Sequence, residues 1–130
     1  MKEQIIQYYI KSPKVKKITD SLDKVGHISC LGLIGSSRSY VVAAASDTIG
    51  GLSFVICSDK EKAAYFYNDL ENIYGEKDTD YSKKRILFYP TSYKRPYEPE
   101  KADNTYILSR TEVLQRITSS ERRTIIVTYP

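Results

Sequence analysis

An α/β fold on a parallel sheet flanked by helices is what this sequence predicts, and three observations predict it. Short apolar runs at residues 27–33, 52–57, 86–89 and 124–128 have the length of buried strands. Segments of helical period lie between them, and that alternation asks for crossovers returning each strand parallel to the last. The breaks fall at Gly26, Gly50-Gly51, Gly75 and a Pro-rich stretch, where chain direction can change without interrupting an element.

The first 26 residues read as two helical pieces broken at Ser12-Pro13, with Ser12 able to cap and Pro13 at the first helical position. Val15, Ile18, Leu22 and Val25 recur at helical spacing until Gly26 closes the turn. Residues 27–33 are the first strand, and a small-residue helix over about 38–48 leaves the loop after it. L-S-F-V-I-C at 52–57 is the second strand. In the next helix Ser58 and Glu61 form a capping-box pair, and Ala63, Phe66, Tyr67, Leu70, Ile73 and Tyr74 make one apolar face before Gly75. A polar stretch, 76–85, leads to the third strand at 86–89. Then comes Y-P-T-S-Y-K-R-P-Y-E-P-E-K, too rich in proline for a regular element. Asp103 or Asn104 caps a last helix with Tyr106, Ile107, Val113, Leu114 and Ile117 inward, and T-I-I-V-T at 124–128 is the fourth strand. The organisation is thus an N-terminal helical segment, 1–26, and an α/β subdomain, 27–130.

With 41% hydrophobic and 28% charged residues in a chain of 130, the composition is that of one folded domain, neither disordered nor membrane-spanning. No apolar run approaches the roughly 20 residues of a membrane helix. The start, M-K-E-Q-I-I-Q-Y-Y-I-K, has neither a long apolar segment nor a small-residue cleavage site, so a cytoplasmic location is expected. Cys30 and Cys57 fall inside predicted interior strands, as reduced, buried thiols would. The formal charge of +4 is modest and dispersed rather than gathered into a basic stripe. Twelve tyrosines, beside three phenylalanines and no tryptophan, make Tyr the main aromatic filler between core and water; stacking on bases is the alternative use.

In sheets of this kind ligands bind outside the carboxyl ends of the strands. That edge carries residues 32–39, G-L-I-G-S-S-R-S, which overlie the phosphate-loop pattern G-x-x-x-x-G-K-[ST] with two of the four fixed positions changed. Gly32 and Ser39 match; Ser37 and Arg38 stand in the glycine and lysine places. In the working pattern the glycine lets backbone N–H groups close around phosphate oxygens, the lysine reaches the outer phosphates, and the hydroxyl holds Mg²⁺. Gly32, Gly35, Ser36, Ser37, Arg38 and Ser39 therefore read as a degenerate phosphate loop.

An ATPase of this type also needs an acidic residue after a later strand, and none follows Phe88 or Val127. Asp59 does follow a strand, but beside Ser58 its expected role is helix-start electrostatics. His27 is the only histidine, no C-x-x-C pair is present, and Glu98 and Glu100 lie in a solvated loop, so no catalytic or metal-binding constellation is read. Lys83, Lys84, Arg85, Arg122 and Arg123 precede their strands and belong to the opposite rim. With Lys94 and Arg95 they are the candidate contacts for nucleic acid or a partner.

The tracts G-L-I-G-S-S-R-S, L-S-F-V-I-C-S-D-K-E-K-A-A-Y-F-Y-N-D-L, I-L-F-Y-P-T-S-Y-K-R-P-Y-E-P, D-N-T-Y-I-L-S-R-T-E-V-L-Q-R-I and R-R-T-I-I-V-T-Y-P together resemble the N-terminal UvrB-like region of bacterial transcription-repair coupling factors (Mfd). The resemblance covers nearly everything after Gly26 and is most specific over 88–117, where the family has a strand, a Pro- and Tyr-bearing loop and a helix opened by a run like Asp103 to Arg110. It implies a P-loop NTPase-like fold, that of UvrB domain 1a, with the loop degenerate. UvrB keeps the lysine and projects a tyrosine-rich hairpin after the third strand. Arg38 and the short span from Tyr89 to Tyr106 depart from UvrB and point to the coupling factor, whose UvrB-like module does not hydrolyse ATP. Tyr93 and Tyr97 are what remains of the aromatic tract.

The parent implied by this resemblance is an ATP-dependent, helicase-like DNA translocase that displaces stalled RNA polymerase and recruits UvrA for nucleotide excision repair. ATP and Mg would belong to its motor domains, most UvrA contacts to a following domain. The present chain would be a noncatalytic scaffold against other domains of the parent, with no cofactor and no membrane partner. Two readings stand beside it. Arg38 at a helix N-terminus would suit weak residual nucleotide binding. The basic rim would suit nucleic acid.

Overall fold

The computed structural model describes residues 2–91, 104–119 and 123–130. Strands β1 (Leu52–Ile56), β2 (Ile86–Tyr89) and β3 (Thr124–Thr128) form a parallel sheet of order β1-β3-β2. Phe54, Ile126 and Leu87 share one register position, and Val55, Val127 and Phe88 the next. Side chains at successive positions point to opposite faces, so these two rows define the two sides of the sheet.

Helices α1 (Lys2–Lys11), α3 (Ser37–Ile49) and α4 (Lys60–Tyr74) cover one side, where Ile6, Ala43, Ala63, Leu70 and Ile73 pack on Ile125 and Val127. Helix α5 (Asn104–Ser119) covers the other through Val113 on Leu87 and Ile126. Central β3 is therefore buried on both faces from Thr124 to Val127, which is why Ile125, Ile126 and Val127 read as an apolar run. Each such Ile, Leu or Val contributes about 1.5–3 kcal/mol relative to exposure.

Tyr9 stacks on Tyr40 with ring centroids 5.2 Å apart while Ile6 joins the cluster of Ala43, so α1 runs antiparallel to α3. After the turn at Ser12, Pro13 opens helix α2 (Pro13–Val25), which packs on α3 with Val15 against Val41 and Ala44. Gly35 and Ser36 lie at the carboxyl rim of the sheet with Ile56 and Cys57.

Several expectations are corrected here. Residues 27–33 form no strand, so the described sheet has three strands and not four. An apolar run becomes a strand only where it meets a ladder, and Leu33 packs instead against Val15, Val41 and Ala44. Cys30 is consequently exposed rather than interior; Cys57 is half-buried just past β1, its N–H donating to the Thr128 carbonyl at 2.8 Å. The cap of α4 is Asp59, which accepts from the Lys62 N–H at 2.8 Å while the Ser58 hydroxyl donates to Asp59 at 2.9 Å. A carboxylate is the stronger acceptor and suits the positive helix end, so it displaces the expected Ser58–Glu61 box. Ser12 occupies the cap position of α2 without a side-chain bond. Val25 is exposed at the end of α2, and Ile107, Leu114 and Ile117 are exposed because, among the described residues, α5 buries only Val113 and Arg116. No helix among the described residues is long and apolar enough to cross a membrane.

Candidate functional site

Beyond the carboxyl end of β1 an open cleft of about 720 Å³ is bordered by Gly35, Ser36, Arg38, Ser39, Ile56, Cys57, Ser58, Lys62, Phe66 and Asp69. The first turns of α3 and α4 both open onto it, so the sequence-predicted loop stands at the sheet edge expected for it. Its interior differs from a cradle. The Ser37 N–H donates to the Ile34 carbonyl at 3.2 Å, the Arg38 N–H to Gly35 at 3.5 Å and the Tyr40 N–H to Ser36 at 3.2 Å. The Ser37 hydroxyl donates to Ile34 at 2.6 Å, and Arg38 Nε folds back to the Leu33 carbonyl at 3.2 Å. The Ser37 and Arg38 N–H groups, the Ser37 hydroxyl and Arg38 Nε are thus satisfied by the loop's own carbonyls. Gly35, with φ 55, lets the chain turn tightly enough to make these bonds.

Ser39, the residue matching the metal-holding hydroxyl, is buried and donates to Asp69 Oδ2 at 3.2 Å. Asp69 was not singled out by the sequence. Its signal was there: it sits between Phe66 and Ile73 at helical spacing, a lone carboxylate on an otherwise apolar stripe of α4. The Ser39–Asp69 bond ties α3 to α4 at the mouth of the cleft.

The carboxylate of Asp59 is held below its ordinary range, first by the Lys62 backbone N–H and then by the Ser58 hydroxyl. Cys57 shifts the other way: burial, then the nearby Asp59 charge, pushes its thiol up. A disulfide-exchange reagent at neutral pH should therefore titrate one fast thiol, Cys30, and one slow thiol, Cys57. Cys30→Ser should abolish the fast phase alone; two equal rates would show that the cleft wall opens freely.

Of the basic residues predicted for the amino-terminal rim, Lys84 and Arg85 are turned inward. Lys84 is buried in an ion pair with Glu71, and Arg85 pairs with Asp47. The Glu76 carboxylate accepts from the Arg85 and Ile86 N–H groups at 2.8 and 3.0 Å. Arg123 donates to the Asp47 carbonyl at 2.8 Å. Lys83 is exposed. Arg122, Lys94 and Arg95 lie outside the described residues, as do Tyr93, Tyr97, Glu98, Glu100 and Asp103. Arg116, which sequence reasoning passed over, is buried and donates to the Lys84 carbonyl at 2.8 Å and the Ser82 carbonyl at 3.0 Å, with Glu112 2.7 Å away.

Tyrosine serves this framework. The Tyr74 hydroxyl donates to Asp47 at 3.0 Å with the Arg85 guanidinium 4.6 Å from its ring centre, and Tyr81 bonds the backbone of Phe88. Among the described residues no group of three or more His, Cys, Asp or Glu is placed to hold a metal ion.

Fold and site together define a small α/β module with a closed turn at the carboxyl edge of a parallel sheet. No protein-family model, curated protein or solved structure matches the chain.

Proposed function

We propose that this chain is a noncatalytic, UvrB-like interaction module of a transcription-repair coupling factor, a P-loop NTPase-like fold whose phosphate loop has closed on itself. The observation that carries the reading is the bonding of the loop: Ser37 and Arg38 engage loop carbonyls where a nucleotide site would need them directed at phosphate, and Ser39 engages Asp69 where it would need to hold Mg²⁺. The tract resemblance supplies the family, and the parallel sheet with helices on both faces is of the kind that family requires. On this reading the partners are other domains of the parent, with UvrA, RNA polymerase and DNA engaged through the parent in the cytoplasm. Nucleic-acid binding by the amino-terminal rim is the weaker alternative, since Lys84, Arg85 and Arg123 are held by internal acceptors.

Calorimetric titration with Mg-ATP tests the proposal. No saturable heat is expected at millimolar nucleotide, and Ser37→Gly with Arg38→Lys should gain at most weak phosphate binding without phosphate release, because the acidic metal partner is not restored. Micromolar binding by the native chain that disappears in Arg38→Ala would overturn the noncatalytic reading.

A further inference from the structure

The two edges of the sheet are finished differently. On β2 the outward groups are taken. The Ile86 N–H donates to the Glu76 carboxylate at 3.0 Å, the Phe88 N–H donates to the Tyr81 hydroxyl at 3.2 Å, and that hydroxyl donates in turn to the Phe88 carbonyl at 3.2 Å. On β1 the Cys57 N–H donates to Thr128 and the Gly51 carbonyl accepts from Thr124, so odd-numbered residues serve the β3 ladder. Leu52, Phe54 and Ile56 direct their N–H and C=O groups outward. Among the described residues nothing bonds those outward groups.

Their side chains are open as well. Phe54 shares its row with Ile126 and Leu87, which Val113 of α5 covers, yet Leu52, Phe54 and Ile56 remain 39%, 54% and 73% exposed. The strand L-S-F-V-I carries no lysine, proline or charge that would keep another strand away.

This edge is complementary to itself. Set antiparallel about a two-fold axis at Phe54, the N–H and C=O of one Phe54 meet those of the other, and Leu52 meets Ile56 of the second copy. Every outward group from 52 to 56 is then bonded, and each apolar side chain faces another across the strands. The same axis carries Asp59, beyond one end of β1, toward Gly50 at the opposite end of the second copy. Arg123 stands there, its Nε 3.6 Å from the position a Cβ on Gly50 would take. Anion and cation thus approach one another at both ends of the contact.

We propose that the edge of β1 is the interface of an isologous dimer of this chain, which joins two sheets into one, while the capped edge of β2 stops assembly at two copies. A contact of one strand pair is small, so the dimer is weak and dependent on concentration.

Sedimentation velocity on the full chain should show a weight-average mass that rises with concentration from the monomer's toward the dimer's, and Phe54→Lys should hold it at the monomer's. Hydrogen exchange followed by NMR shows that each variant is folded through the Ser53 and Val55 amides, which face β3. In the native chain, exchange at Phe54 and Ile56 should slow relative to those two as concentration rises. Oxidation in a Cys30→Ser, Cys57→Ser background reads the axis. Facing residues of the hydrogen-bonded pair come within disulfide reach, so Phe54→Cys should cross-link about tenfold faster than Ile56→Cys, although Ile56 is the more exposed. A chain monomeric at every concentration, a dimer that Phe54→Lys leaves intact, or cross-linking that follows exposure instead overturns the proposal.

Discussion

Lys84→Ala should lower the free energy of urea unfolding by about 3–5 kcal/mol. Lys84 and Glu71 are each 8% exposed and face one another, with the Tyr67 ring centre 5.8 Å from the ammonium. Alanine would leave the Glu71 carboxylate buried without a countercharge. Tyr67 cannot replace the lysine, because burial and then its hydrogen bond to Glu71 push its ionisation far upward and keep it neutral. Replacing both partners, Lys84→Met with Glu71→Leu, should recover most of the loss, since paired apolar groups carry no desolvation cost. A Lys84→Ala loss under about 1 kcal/mol would place the pair in solvent-like surroundings instead. The result also bears on nucleic-acid assays. A variant neutralising Lys83, Lys84 and Arg85 together would report unfolding, whereas Lys83→Ala alone should stay within about 0.5 kcal/mol of the native chain.

For Arg116→Ala the expected loss is about 3 kcal/mol, read from the same unfolding curves. Its guanidinium joins α5 to two carbonyls before β2 and to Glu112, and Thr124 Oγ1 lies 3.5 Å from it. Removing it strands those acceptors beneath α5. Lysine should recover less than half, because a point ammonium cannot reproduce the planar fork. Since Arg116 bonds the carbonyl of Lys84 itself, the double variant Lys84→Ala, Arg116→Ala should lose less than the sum of the single losses. Full recovery by Arg116→Lys would show that charge alone, and not geometry, fixes α5.

How much of this was legible in the sequence divides along a physical line. Helix α4 was readable because its apolar residues recur on one face and Gly75 ends it, signals carried entirely by neighbours in sequence. The runs that became β1, β2 and β3 were readable by length and apolarity. Residues 27–33 carry the same local pattern and formed no strand, because pairing is decided by contacts distant in sequence, and Leu33 packs against Val15, Val41 and Ala44 instead. The altered phosphate loop was visible as a motif, but its closure by Ile34, Leu33 and Gly35 carbonyls was not. Likewise Lys84 and Arg85 read as rim contacts for nucleic acid or a partner, and Arg116 was passed over. Their burial depends on Glu71, Asp47 and the Ser82 carbonyl, contributed by other elements.

The strand order has a consequence for how the molecule comes into being. Among the described residues both β1 and β2 pair only with β3, which is made last of the three. During synthesis neither earlier strand has a ladder until residues 124–128 have left the ribosome. Helices α1 to α4 can associate first, but the sheet closes around its centre in a single late event that joins segments more than 70 residues apart, as from Phe54 to Ile126. Such non-local closure is intrinsically slow. A nascent chain paused before Thr124 would present two unpaired apolar strands, a state suited to chaperone capture rather than to independent folding.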